Sequence, residues 1–314
     1  MLNRRHIRVK VMQTIYAFKG GESDDFGVNQ KFLLFSIDNM YNLYLLIISI
    51  LIEVQKRAEN DIEKRLKKHL ATPEDKNPNR KFVNNELLKK LKDNFNLKDD
   101  IETHNITNWQ LDQEYIDVLY KAIIASDLYK DYMQTRVSDF KEDKDFIVDV
   151  FKDIIAPNEK LYDYIEDKNL TWLDDLPTVN TTILKLLRKA KATSIDSHFT
   201  PKLYKDIEDK QFAIDLFKKT LLNKTALKEE IELKTKNWDS ERIANVDYVL
   251  LQMAICELKN FSSIPVKVTI NEYLEIAKEY STPKSSIFIN GILDKLVKEY
   301  ESNNTLNKMG RGLM

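Results

Sequence analysis

Phe288-Ile289-Asn290-Gly291-Ile292-Leu293-Asp294 is the stretch on which the reading of the fold turns. Asn-Gly between apolar residues is the strongest short signal for a tight β-hairpin. The flanks argue the other way. Phe288, Ile292 and Leu296 recur at i, i+4 and i+8, with Ile289 and Leu293 beside them, which is a period near 3.6. The stretch therefore reads as a helix opening at Ser285 or Ser286, with Gly291 as a point of close approach between helices. The wider sequence agrees. The glycines stand at 20, 21, 27, 291, 310 and 312, so none interrupts residues 28–290. Hairpins, bulges and phosphate-cradling loops normally need them. The prolines, at 73, 78, 157, 177, 201, 265 and 283, fall between periodic segments and punctuate helices. The fold class expected is all-α, a helical bundle.

The chain has 314 residues, enough for one large or two ordinary domains. Hydrophobic residues at 43% with charged residues at 32% describe a soluble globular protein. The formal net charge of −1 gives no hint of a polyanionic partner, so any basic site must be argued locally. A single cysteine, Cys256, excludes an internal disulfide and fits a reducing cytoplasm. It lies in an apolar run and reads as a buried thiol. The N-terminus lacks the apolar core of a secretory signal. The most apolar run, Leu43 to Ile52, is too short to span a bilayer and reads as a buried helix.

Working back along the chain, Asp239 caps an expected helix from about Ser240 to Lys259, with Ile243, Val246, Leu250, Met253, Ala254 and Leu258 inward. Pro265 opens the next, with Ile270, Leu274 and Ala277 inward. Further helices are expected near 84–95, 111–137, 143–155, 159–168, 178–192 and 202–221. A long pattern from about Gln30 to Leu70 is apolar all round in its first half. It then narrows to Ala58, Ile62, Leu66 and Leu70, so its end should leave the core, with Asp61/Arg65 and Glu63/Lys67 as pairs on the wet side. Residues 72–79 read as a linker, 20–27 as an acidic loop, and 72–80 and 193–201 as weak domain boundaries.

The first helix, from Asn3 to Phe18, places Ile7, Val11, Ile15 and Phe18 on one stripe, with Asn3 as its cap. Arg4, Arg5 and Arg8 lie within about 100° on the wheel, and no acid occurs before Glu22. Cations in a first turn oppose the helix dipole at about 0.3–1 kcal/mol each. Either the start is simply solvated, or an anion docks there and offsets the cost.

No enzyme site is legible. His6, His69, His104 and His198 are scattered without metal-ligand spacing, and no cofactor or metal is implied. Ser194, Asp196 and His198 are too close in sequence for triad geometry and read as a turn or cap.

Two separated pieces together resemble the transcription antitermination factor NusB family. The first is Arg4-Arg5-His6-Ile7-Arg8-Val9-Lys10-Val11-Met12-Gln13-Thr14-Ile15-Tyr16. The second holds Trp238-Asp239-x-x-Arg242, Asp247-x-x-Leu250-Leu251-x-Met253-Ala254-x-x-Glu257-Leu258, Ile264-Pro265-x-Lys267-Val268-x-Ile270-Asn271-Glu272, Glu275-Ile276-Ala277-Lys278-x-Tyr280 and Phe288-Ile289-Asn290-Gly291-Ile292-Leu293-Asp294. His6 stands where the family often has arginine, Val11 where alanine is usual, and Gln252 where arginine is frequent. The resemblance implies two packed helical parts. They are an enlarged N-terminal part over 1–200 (first helix 3–19, the remainder of 20–200 mostly insertion) and a family-like C-terminal part over 201–300, with a disordered tail at 301–314. It also implies a bacterial, cytoplasmic, non-enzymatic adaptor. Such a protein would bind boxA-like single-stranded RNA of ribosomal leader transcripts, pair with the ribosomal protein NusE, and help RNA polymerase resist termination.

On that implication the RNA-binding candidates are Arg4, Arg5, His6, Arg8, Lys10, Lys284 and Phe288. Arginine forks suit phosphates and their planes suit bases. Phe288 either stacks on a base or packs in the core. Tyr16 and Glu257 are the protein-partner candidates, or a core aromatic and a solvated acid. The alternatives are a scaffold that keeps the fold without binding RNA, or the RNA-binding domain of an RNA-modifying system.

Overall fold

A computed structural model of the chain describes residues 1–20, 25–67, 72–235, 244–306 and 308. Among the described residues there is no strand. The helices in order are α1 (Arg4–Gly20), α2 (Phe26–Leu66), α3 (Pro73–Lys76), α4 (Glu86–Lys92), α5 (Phe95–Thr103), α6 (Asn108–Leu111), α7 (Gln113–Ala125), α8 (Asp127–Tyr132), α9 (Phe140–Val150), α10 (Glu159–Lys168), α11 (Leu176–Lys189), α12 (Ile207–Leu222), α13 (Lys224–Lys234), α14 (Asn245–Asn260), α15 (Val266–Tyr280) and α16 (Ser285–Ser302). The fold is all-α. Trp238, Asp239, Ser240, Arg242 and Ile243, together with residues 21–24 of the 20–27 loop, His69 and Leu70, lie outside the described residues.

The chain divides into two compact units. A terminal unit combines Leu2–Ile37 with Tyr204–Met314, and a central unit takes Asp38–Leu203 together with Met1. The Met1 ammonium donates to the carbonyls of Lys202 and Leu203. Helix α1 lies in the same unit as the C-terminal helices. The reason is its apolar stripe: Ile7, Val11 and Ile15 are buried, and α1 packs on α12, α14 and α15.

In the terminal unit α14 is the axis. It packs against α1, α12, α13, α15 and α16, and is buried on nearly every side from Asp247 to Leu258. Cys256 lies within it, and burial pushes its thiol up to about 11, as suits an inert core group. Asp247 accepts hydrogen bonds from the Ser281 and Ser285 hydroxyls, which pins the α15–α16 turn. The α15 face is rotated from the expected one. Val266, Thr269, Tyr273, Ile276 and Ala277 are inward, while Ile270 and Leu274 are half-buried. Thr269 and Tyr273 turn inward because their hydroxyls serve a buried carboxylate described below.

Helix α13 was not legible from periodicity, since only Leu227 and Ile231 mark its inner face. At the expected tail of 301–314, α16 runs to Ser302 and the Lys308 ammonium donates to the Phe261 carbonyl, while residues 307 and 309–314 lie outside the described residues.

In the central unit Leu43 to Ile52 of α2 is buried as expected. Among the described residues α2 is the one helix long and apolar enough to cross a membrane, yet 78% of its most apolar window is buried inside the molecule. Its second half does not leave the core at once. Ala58 is buried, and Arg57 reaches Asp117 and lies over the Tyr120 ring. Full exposure begins at Glu63, where the Glu63/Lys67 pair forms, and Asp61 holds Arg65 at 3.0 Å. The expected linker contains α3, closed by a capping box between Thr72 and Asp75. Ser194, Asp196 and His198 hold a turn: Ser194 and Asp196 accept from the Lys191 and Phe95 amides, and His198 meets the Leu186 carbonyl.

Gly291 lies in the interior of α16, and a Cβ built there meets nothing within 4 Å. The expected close helix contact is absent at this position. Gly291→Ala should therefore stabilise the protein by about 0.5–1 kcal/mol through helix propensity alone, read as a higher urea midpoint at constant slope.

Candidate nucleic-acid interface

Asn3 accepts from the His6 amide at 2.9 Å and opens α1, and the helical spacing then brings Arg4, Arg5 and Arg8 to one side. Each guanidinium meets a carboxylate of the same chain. Arg4 Nε donates to Asp209 Oδ1 at 2.9 Å. Arg5 grips Glu272 through Nε and Nη2, at 2.9 and 3.0 Å. Arg8 grips Glu257 in the same forked way at 2.8 and 2.7 Å. The dipole cost of a basic first turn is thus offset inside the fold, by acids on α12, α14 and α15, and not by an awaited anion.

The three pairs differ in their access to water. Arg8 and Glu257 are 2% and 0% exposed. Glu257 also accepts from the Thr269 hydroxyl at 2.8 Å and the Tyr273 hydroxyl at 3.2 Å, and the Arg8 guanidinium lies over the rings of Phe212 and Tyr273 at 5.1 and 5.8 Å. Burial works against the Arg8 charge. The Glu257 hydrogen bonds and charge outweigh it and hold the guanidinium above its ordinary value. Arg8 is therefore held as a structural cation, and Glu257 is a buried carboxylate rather than a solvated acid.

Arg4 and Arg5, by contrast, are each 39% exposed. They line an open cleft of about 510 Å³, with Asn3, Ser263, Ile264, Pro265, Val268 and Glu272 around them and the nearly buried Arg8 at its floor. The far wall is the start of α15, which opens at Pro265 with no side-chain cap and no acid in its first turn. Arg4 spends only Nε on Asp209, so its terminal nitrogens are left for a second acceptor. The Arg5 hydrogen bond holds the Glu272 carboxyl below its usual range, and Glu272 raises Arg5 in return.

The other candidates scatter. Lys10 is buried, which removes it as a surface charge. His6 is half-buried, and burial, with the Arg5 charge next, lowers it from its ordinary value, so it adds little positive charge near neutral pH. Lys284 is exposed just before α16, and Phe288, one turn in, is half-buried. Tyr16 is 46% exposed and is not a core residue. Gln252 is buried in α14, so its departure from the family pattern does not touch the surface. Sequence reasoning missed Asp209 and Glu272 as partners of the arginines. Glu272 stood inside a quoted block, yet nothing local ties it to a residue 267 positions earlier.

The fold and the site together describe an all-α protein with an arginine-lined surface cleft and, among the described residues, no metal-ligating cluster. Residues 186–298 match the NusB family. The transcription antitermination protein NusB of Salinibacter ruber (strain DSM 13855 / M31) is 43% identical over 112 residues, covering 36% of this chain and 70% of that protein. NusB of Chloroherpeton thalassium (strain ATCC 35110 / GB-78) is 38% identical over 129 residues, 41% of this chain and 61% of that one. The solved structure of T. maritima NusB is 31% identical, covers 38% of this chain and 82% of its own, and superposes with a TM-score of 0.29. The chain belongs to the NusB family.

Two outcomes follow from the ion pairs. Arg8→Ala leaves Glu257 buried and unpaired, and should cost about 3–5 kcal/mol in denaturant unfolding. Glu272, whose carboxyl is lowered by Arg5, contributes stability that is present above its ordinary value near 4.5 and is lost as pH falls through the folded value. The stability gap between wild type and Glu272→Gln should be constant from pH 5 to 8 and close below about pH 4.5, measured by urea titration at each pH.

Proposed function

We propose that this protein acts in the cytoplasm in transcription antitermination, binding boxA-like single-stranded RNA of ribosomal leader transcripts and pairing with NusE in an RNA polymerase complex. Membership of the NusB family supports the role. The observation that carries the RNA reading is the pair of half-exposed arginines, Arg4 and Arg5, side by side on one open cleft. Guanidinium forks match phosphate bidentately, and their planes stack on unpaired bases. Lys284 is an exposed cation of the same unit, and Phe288 a candidate stacking ring. Arg8 and Lys10 are withdrawn from the contact set because they are buried, and Glu257 from the partner surface for the same reason. Tyr16 stays as the candidate on the NusE side, being a large exposed aromatic on α1.

A second reading has its own support. All three arginines are held by carboxylates of the chain, as a scaffold that keeps the fold without RNA would hold them. Binding of a boxA-like RNA oligonucleotide across salt separates the two. Two or three phosphate contacts should give log K against log[salt] a slope of about −1.4 to −2.1, from ~0.7 per phosphate on single strands. Arg4→Gln with Arg5→Gln should remove most of that slope while leaving the helical circular dichroism unchanged. Equal binding by wild type and double variant would favour the scaffold.

A further inference from the structure

Among the hydrogen-bonded ion pairs of Arg4, Arg5 and Arg8, one has the geometry of an exchangeable contact. Arg8–Glu257 is sealed, and Glu257 has further donors that fix it. Arg4–Asp209 uses a single nitrogen and leaves the rest of the guanidinium available without being broken. Arg5–Glu272 is forked, lies on the cleft wall, and has both members in contact with water, at 39% and 22% exposure, while Arg8 Nη1 stands 3.8 Å from Glu272 Oε2 as a longer ion pair that a swung carboxylate can keep through its other oxygen. The fork that Glu272 occupies is the one a phosphate would take, and the carboxylate would stand beside that phosphate as a like charge. Glu275 and Glu279 follow on α15 and act on Arg5 through their charge, so the negative field comes from a stripe, but Glu272 alone hydrogen-bonds it.

We propose that Glu272 is an internal competitor for Arg5: its carboxylate occupies the guanidinium fork in the RNA-free protein, and RNA binds by displacing it. The inference rests on the RNA reading given above. The exchange makes the cleft selective. A lone phosphate replaces one fork with another and gains little. A strand that also engages Arg4 and the stacking surface overcomes the competition. It also sets resting affinity below what the arginines by themselves would provide.

The test measures affinity of the 314-residue chain for the same boxA-like oligonucleotide across salt, in wild type, Glu272→Gln, Glu275→Gln and Arg5→Gln/Glu272→Gln. Glutamine keeps the shape of residue 272 and removes its charge. Glu272→Gln should bind about 5-fold more tightly at low salt, from one like-charge contact at roughly 4 Å relieved in water. Its salt slope should steepen by up to about 0.7. Glu275 pairs with Lys278 and makes no hydrogen bond to Arg5, so Glu275→Gln changes the net charge equally and should give a much smaller gain. The gain should vanish in the double variant. Equal gains at 272 and 275 would reduce the effect to net charge and overturn the proposal. Weaker binding by Glu272→Gln at unchanged slope would make Glu272 a reader of a base and overturn it too. Wild-type binding with no change at 272 rejects the competitor alone, whereas no RNA binding by any variant rejects the RNA reading beneath it.

Discussion

The terminal unit is built around an arginine that is almost wholly withdrawn from solvent. Arg8 enters from α1 and Glu257 from α14, and α15 closes the site with the Thr269 and Tyr273 hydroxyls. Burying either charge alone would cost several kcal/mol, and their attraction offsets this only with forked geometry and satisfied oxygens. Both conditions hold, and they tie three helices together at one point. The rotation of α15 follows from it: two hydroxyls must face the carboxylate, so the apolar stripe read from Ile270 and Leu274 gives way to one centred on Thr269 and Tyr273. The pair also explains why α1 joins helices more than 200 residues away in sequence, since its basic side and its apolar stripe both find their partners there.

Beside that fixed pair stands a graded series. The guanidiniums of Arg4, Arg5 and Arg8 have the same chemistry, but exposure decides what each can do. A sealed pair is architecture, while a wet one trades partners at small cost, because water screens the charges in either state. The electrostatics of the site are consequently balanced in the absence of ligand, and the arginines cannot be read as an unmatched positive patch. What the cleft offers an anion is geometry: fork donors on one wall and the opening turn of α15 on the other.

The central unit has a separate logic. Its spine is the buried middle of α2, with Trp109 and Trp172 donating indole N–H groups to the Leu46 and Asn39 carbonyls. A second polar core forms where Lys81, fully buried, donates to the Tyr132 carbonyl and the Thr135 hydroxyl and meets Glu142, while Asp143 accepts from the Tyr132 hydroxyl and the Glu86 amide. Such satisfied networks specify one arrangement of short helices that apolar contacts alone would leave degenerate. The family match reaches only the last residues of this unit, from 186 onward.

Periodicity and the scarcity of glycine sufficed for the all-α class, for the helical reading of Asn290-Gly291, and for most helix positions, because those are properties of a few consecutive residues. The same local information placed three arginines on one face of α1. It could not say which of them meets water. That depends on Asp209, Glu257 and Glu272, which arrive from helices distant in the chain, and no spacing rule reports such an encounter. Gly291 shows the converse: its local context suggested close packing, and only the assembled helices left it facing open space. Most helix positions and the resemblance were therefore written in the sequence. The burial of Arg8, Lys10 and Glu257, the exposure of Arg4, Arg5 and Tyr16, and the pairing that separates a structural cation from a binding one were decided by tertiary structure, since solvent access and charge pairing are properties of packing and not of residue order.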